Sequence, residues 1–174
     1  MFIIKFLSRT IFVSSLFFFT ACLTDTTETK ESTKVLLKGE PSEKFYKLSQ
    51  KYFEEGEYKK ALEYDIKQLN EDLKYYREES LEIALDYNNI GLDYDELKRY
   101  TEAIAYYEKA IKIDDITLEE NSTERATTYF NLASSQDAIE NYDEALKYYL
   151  KALAIEKESN EIRSKIDELK KKIK

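Results

Sequence analysis

From Ser42 onward, apolar positions recur with the period of a helix. Tyr87, Ile90, Gly91 and Tyr94 fall at i, i+3, i+4 and i+7, which is one stripe of a 3.6-residue helix. A short polar break, Asp95 to Arg99, separates it from a second stripe at Tyr100, Ala103, Ile104, Tyr107, Ala110 and Ile111. The unit is a helix hairpin. It is also repeated, because a step of 42 residues relates Tyr58, Tyr100 and Tyr142, then Ala61, Ala103 and Ala145, then Leu62, Ile104 and Leu146. The same step relates Tyr64, Tyr106 and Tyr148, then Leu69, Ile111 and Leu153 in the second helix. In the first helix it relates Phe45, Tyr87 and Tyr129, then Leu48, Ile90 and Leu132, then Ser49, Gly91 and Ala133.

The small columns have a packing reason. Helices crossing at about 8 to 10 Å need Gly, Ala or Ser where their backbones approach, so Ser49 with Ala61, Gly91 with Ala103 and Ala133 with Ala145 are the expected contacts. Ser80, Ser122 and Ser164 share the step and are candidate helix N-caps. The stretch Asn160 to Lys174 carries Ile162, Ile166, Leu169 and Ile173 on one face, so it is expected to close the stack as the first helix of an unfinished fourth unit.

Tyr87-Asn-Asn-Ile-Gly-Leu-Asp-Tyr94 followed by Tyr100-Thr-Glu-Ala-Ile-Ala-Tyr-Tyr-Glu-Lys-Ala110 resembles the tetratricopeptide repeat, over roughly Ser42 to Glu158. Usual units have about 34 residues, and lengthening both helices by about one turn gives the longer unit seen here, similar to the repeats of kinesin light chains. The resemblance implies an all-α, right-handed superhelix of three hairpins, at about 42–79, 80–121 and 122–158, with a capping helix at 159–174. Repeat one departs from the pattern: Asp65 and Gln68 stand where the others have Tyr107 with Ala110 and Tyr149 with Ala152. A degenerate terminal repeat is expected where one side meets water.

The N-terminus reads differently. Residues 1–21 have a basic start at Lys5 and Arg9, an apolar run from Ile11 to Phe19, then Thr20 and Ala21, the layout of a secretory signal. The uncharged stretch from Thr10 to Thr24 is 15 residues, short of the roughly 20 that a membrane-spanning helix needs. Phe19-Thr20-Ala21-Cys22 resembles a bacterial lipobox, although Phe19 replaces the usual Leu. That resemblance implies a diacylglycerylated Cys22 as the mature N-terminus and a lipid-anchored place in the bacterial cell envelope, on the outer membrane in a diderm. Secretion, or retention of the segment as an anchor, is the alternative. Residues 22–41, rich in Thr, Glu and Lys, read as a flexible tether.

Composition supports helices, with three Gly and one Pro in 174 residues. The net charge is −8, and removing residues 1–21 takes away two more positive charges, so the exported body repels nucleic acid. There is no histidine, no second cysteine and no Gly-rich phosphate loop, so neither a cofactor nor a metal nor catalysis is expected. Paired acids such as Asp114 with Asp115 read as solvated charge, since nothing in the sequence implies an apolar pocket that would shift a carboxylate pKa. The tyrosines mostly occupy repeat columns and read as core.

What remains is binding. Stacked hairpins of this kind line a concave groove with their first helices, which places Tyr46, Gln50 and Phe53, then Asn88, Asn89, Leu92, Asp95 and Glu96, then Phe130, Asn131, Ser134 and Asp137 at a peptide-binding surface. In kinesin-light-chain-like repeats, Asn at the sites matched by Asn89 and Asn131 holds the main chain of an extended peptide; Lys47 breaks that ladder in repeat one. The alternative is that both amides are simply solvated on an exposed face. Chaperone-binding relatives grip a terminal carboxylate with basic residues, whereas the matched positions here hold Tyr46, Gln50, Asn89, Thr127 and Asn131. The expected function is a membrane-tethered adaptor or assembly factor that takes a protein or peptide with a basic segment. Self-association as a homo-oligomeric structural lipoprotein, and binding of a glycan or small ligand, are the competing readings.

Overall fold

The computed structural model describes residue 37 and residues 39–119 and 121–173; the signal segment, Cys22 and nearly all of the tether lie outside the described residues. Among the described residues there are seven helices and no strand: α1 Lys44–Glu54, α2 Tyr58–Asp72, α3 Leu81–Glu96, α4 Tyr100–Thr117, α5 Thr123–Ala138, α6 Tyr142–Ile155 and α7 Asn160–Lys172. Hairpins α1–α2, α3–α4 and α5–α6 stack in chain order, and α7 packs on α6.

The columns of small residues are buried as their period requires. Ala61, Ala103, Ala145 and Ser49 are all 0% exposed. At Gly91 the nearest neighbour is Tyr107: a Cβ built on the glycine would lie 2.5 Å from the Tyr107 ring, and the three nearest atoms all belong to that tyrosine. The tyrosine columns fill the seam of each hairpin, with Tyr52 stacked on Tyr64 at 5.4 Å, Tyr94 on Tyr106 at 5.4 Å, and Tyr129 tilted on Tyr148 at 5.9 Å. Lys109 and Lys151 lie over these rings, 4.4 Å from the centroid of Tyr106 and 4.9 Å from that of Tyr129. Repeat one buries the least apolar surface, since α2 hides Ala61 together with the polar Asp65, Gln68 and Asp72.

Each hairpin turns in the same way. Glu57, Arg99 and Asn141 donate N–H to the carbonyls of Tyr52, Tyr94 and Gln136. Gly56, Lys98 and Glu140 donate to those of Phe53, Asp95 and Asp137. These bonds satisfy the last carbonyls of the first helix, and they need a residue of positive φ, supplied by Gly56 (75°), Lys98 (59°) and Glu140 (63°). At the helix starts, the Ser122 hydroxyl accepts from the Arg125 N–H as a cap should, whereas Ser80 holds the N-cap position of α3 without a capping bond, its Oγ buried with no partner among the described residues. Ser164 does not act as expected. It is exposed within α7, and the cap is Ser159, which accepts from the Ile162 N–H. The register slips because α6 and the connection after it are together shorter than in the earlier repeats: α2 is also shorter than α4, but a longer connection restores Ser80 to the N-cap, whereas after α6 the next helix starts early.

Candidate binding groove

The residues expected to line a groove divide into a buried set and a half-buried set. Asn88, Asn89, Leu92, Phe130 and Asn131 are 4, 5, 0, 5 and 1% exposed. This corrects the expectation of solvated amides: the first helices of repeats two and three approach so closely that Asn131 Nδ2 donates to Asn88 Oδ1 at 3.3 Å. Asn131 Oδ1 is buried without a hydrogen-bond partner among the described residues. Phe130 lies edge-on to Tyr149 at 5.5 Å. These side chains hold helices together, and helical periodicity names the face of a helix without naming how near its neighbour stands.

Tyr46, Gln50, Phe53, Asp95, Glu96, Ser134 and Asp137 are half-buried. Gln50 Nε2 donates to the Tyr46 hydroxyl at 2.8 Å, and Phe53 meets Tyr58 edge-on at 5.3 Å. Asp95 joins three helices, accepting from Tyr107 Oη of α4 at 3.1 Å and from Ser135 Oγ of α5 at 2.6 Å. Burial, and secondarily the Asp95 carboxylate, pushes the Tyr107 phenol well up. Asp137 accepts from Lys172 Nζ of α7 at 2.6 Å, and that bond raises the lysine.

The structure also corrects the expectation that no carboxylate is perturbed. Burial pushes Asp114 up to about 6 and Asp86 up to about 10, and raises Asp72. The signal for Asp72 and Asp114 was present in the sequence, since Asp72, Asp114 and Glu156 recur at the 42-residue step, one turn beyond the apolar column of Leu69, Ile111 and Leu153. Arg125 was also missed. It is 7% exposed, and its Nη2 donates to the carbonyls of Asp114 at 2.6 Å and Leu118 at 2.7 Å, capping the end of α4 from the next hairpin. Among the described residues no group of three or more Asp, Glu, Cys or His is placed to hold a metal ion, and no helix is long and apolar enough to cross a membrane.

The sequence matches the family model of the tetratricopeptide repeat in two overlapping stretches, residues 44–116 and 88–158. The chain belongs to the tetratricopeptide repeat family. No curated protein sequence matches it significantly. Among solved structures, this tetratricopeptide repeat protein is similar to BtubC (BKLC) from P. vanneervenii, with 26% identity, a TM-score of 0.61, and 67% of this chain aligned to 46% of that one. It is similar also to the first TPR of Spaghetti bound to the HSP90 peptide SRMEEVD, with 19% identity, a TM-score of 0.61 and coverage of 74% and 90%. The TPR-like repeats of a kinesin light chain from Podosopora anserina align with 20% identity, a TM-score of 0.60 and coverage of 66% and 55%. At such identities the two latter likenesses establish the fold of this tetratricopeptide repeat chain alone.

Proposed function

We propose that this chain is a non-catalytic, membrane-tethered adaptor or assembly factor of the bacterial envelope, which holds a partner with a basic segment along its first helices. The lipid on Cys22 supplies the tether in this reading, and residues 23–41 supply reach. The observation that carries it is the Asp137 carboxylate, which already accepts a lysine presented by a neighbouring helix. An ammonium of a partner would compete with Lys172 for Asp137 and meet a second carboxylate at Glu96. The buried amides shape the floor, and the rim makes the contacts. The acidic HSP90 peptide of the Spaghetti domain is not the favoured kind of ligand, because Tyr46, Gln50, Asn89, Thr127 and Asn131 offer no cation to a carboxylate.

The test compares two pairs of charge-neutral variants in affinity capture from native membranes. Glu96→Gln with Asp137→Asn removes rim acids, and Glu108→Gln with Asp143→Asn removes exposed acids from the second helices. The rim pair should weaken capture and flatten its dependence on salt, since screening acts on exposed charges. Loss of capture with the second pair alone would put the binding surface on the other face, and the groove would be dropped.

A further inference from the structure

The acid that recurs near the end of each second helix is answered differently at successive junctions. Between repeats two and three, Asp114 is 3% exposed and accepts from Thr128 Oγ1 of α5 at 3.1 Å, with the Arg125 guanidinium beside it. One repeat earlier, the residue matching Thr128 is Asp86 and the residue matching Arg125 is Ile83. A carboxyl group therefore stands where its counterpart meets a hydroxyl, and an alkyl group stands where its counterpart meets a cation.

Asp72 and Asp86 are each 6% exposed, and the repeat register sets Asp86 against Asp72 as Thr128 is set against Asp114. Gln68 Nε2 donates to Asp72 Oδ1 at 3.0 Å, while Asp86 Oδ2 is buried with no partner among the described residues. The charged groups facing the pair add no cation. Asp65 and Glu71 come from α2 and Glu82 from α3, while Tyr76 of the connecting loop also feels both acids. Lys74 is close in sequence but is engaged by Glu71 at 2.6 Å. Two ionised carboxylates have only acceptors to offer each other, so a buried pair of them is stable together only when one carries a proton to donate.

We infer that Asp86 is a proton-binding site that closes the junction between the first and second repeats, and that losing this proton releases the first hairpin. In the closed state the Asp86 O–H donates to the Asp72 carboxylate. When base removes the proton, two like charges share a buried interface, and the favourable route is for α1–α2 to open and hydrate them. Burial first, and then Asp72, lifts Asp86 to about 10, whereas an unfolded Asp titrates near ~4. The folded chain thus holds the extra proton between these limits, so the junction is strongest in mild acid and weakens as pH rises toward 10. The same hairpin presents Tyr46, Gln50 and Phe53, although the inference does not depend on the groove reading.

Hydrogen–deuterium exchange of the full chain in detergent, corrected for intrinsic rates and followed from pH 5.5 to 9, tests this directly. Exchange in α1 and α2 should accelerate with pH by up to roughly tenfold per unit, the limit for one linked proton, while α5 to α7 lag behind. Asp86→Asn can donate an amide N–H to Asp72 at every pH and should flatten the profile; Asp72→Asn should do the same if the first variant fails to fold. A wild-type profile that is flat for α1 and α2, or wild-type pH dependence persisting in a folded variant, overturns the proposal.

Discussion

Gly91 and Tyr107 occupy one another's space: the tyrosine ring, 0% exposed, lies where a side chain on residue 91 would be. Alanine favours a helix over glycine by about 1 kcal/mol, but overpacking a rigid core typically costs about 1 to 3 kcal/mol. The ring cannot swing away cheaply, since its hydroxyl is bonded to Asp95. Gly91→Ala should therefore lose roughly 1 to 2 kcal/mol net in urea denaturation. Unchanged stability would mean that the helices separate freely at this crossing.

Asn131→Ala should destabilise the unbound domain by about 1 to 2 kcal/mol, because it deletes the donor to Asn88 Oδ1 inside a buried seam. Exposed asparagines would give almost no effect. Thermal unfolding without any ligand distinguishes the two outcomes, and capture experiments with this variant need that measurement beside them.

Replacing Arg125 with methionine keeps the stem and removes the donors to two carbonyls at the end of α4. A cost of about 2 to 3 kcal/mol is expected, in the range for bonds from a charged donor that leave buried acceptors unpaired. The loss should be local, so exchange ought to rise first in the α4–α5 connection.

Asp114 supplies a second pH effect with the same sign. Burial lifts it to about 6, so its folded form binds protons that the unfolded chain has released above ~4. Stability at this junction should fall between roughly pH 4 and 6 and then level off, as linkage requires. Asp114→Asn should remove that portion of the slope, read from denaturation midpoints at pH 4.5 and 6.5.

For the anchor, Cys22→Ser should abolish incorporation of labelled fatty acid and move the chain out of the membrane fraction. A diacylated cysteine adds about 0.8 kcal/mol per buried methylene, so the shift should be large. Equal labelling of both forms would exclude the lipobox.

Much of the fold was legible because the 42-residue step repeats the identity of contacts as well as their period. Ala61, Ala103 and Ala145 are interchangeable in the sequence and all 0% exposed. The groove was less legible. Asn89 and Asn131 lie on the expected stripe, yet whether a stripe faces solvent or the next helix depends on the separation between hairpins, which side chains on both helices decide together. Ser164 misled for a related reason, as a column is informative only while the preceding helix and its connection together keep their length. Asp86 was not singled out in the sequence, and only its alignment with Thr128 reveals that it faces a buried carboxyl group.

The shared turn has a consequence for the order of folding. Gly56 enters the left-handed region without strain, whereas Lys98 and Glu140 hold it at a cost of about 1 to 2 kcal/mol each. The first hairpin, with the poorest core, can form its reversal early from local preference, while the second and third must wait until their tyrosines and alanines pack. Gly56→Ala should accordingly slow refolding, whereas Lys98→Gly and Glu140→Gly should chiefly slow unfolding, so residues in one geometry act on opposite sides of the folding barrier.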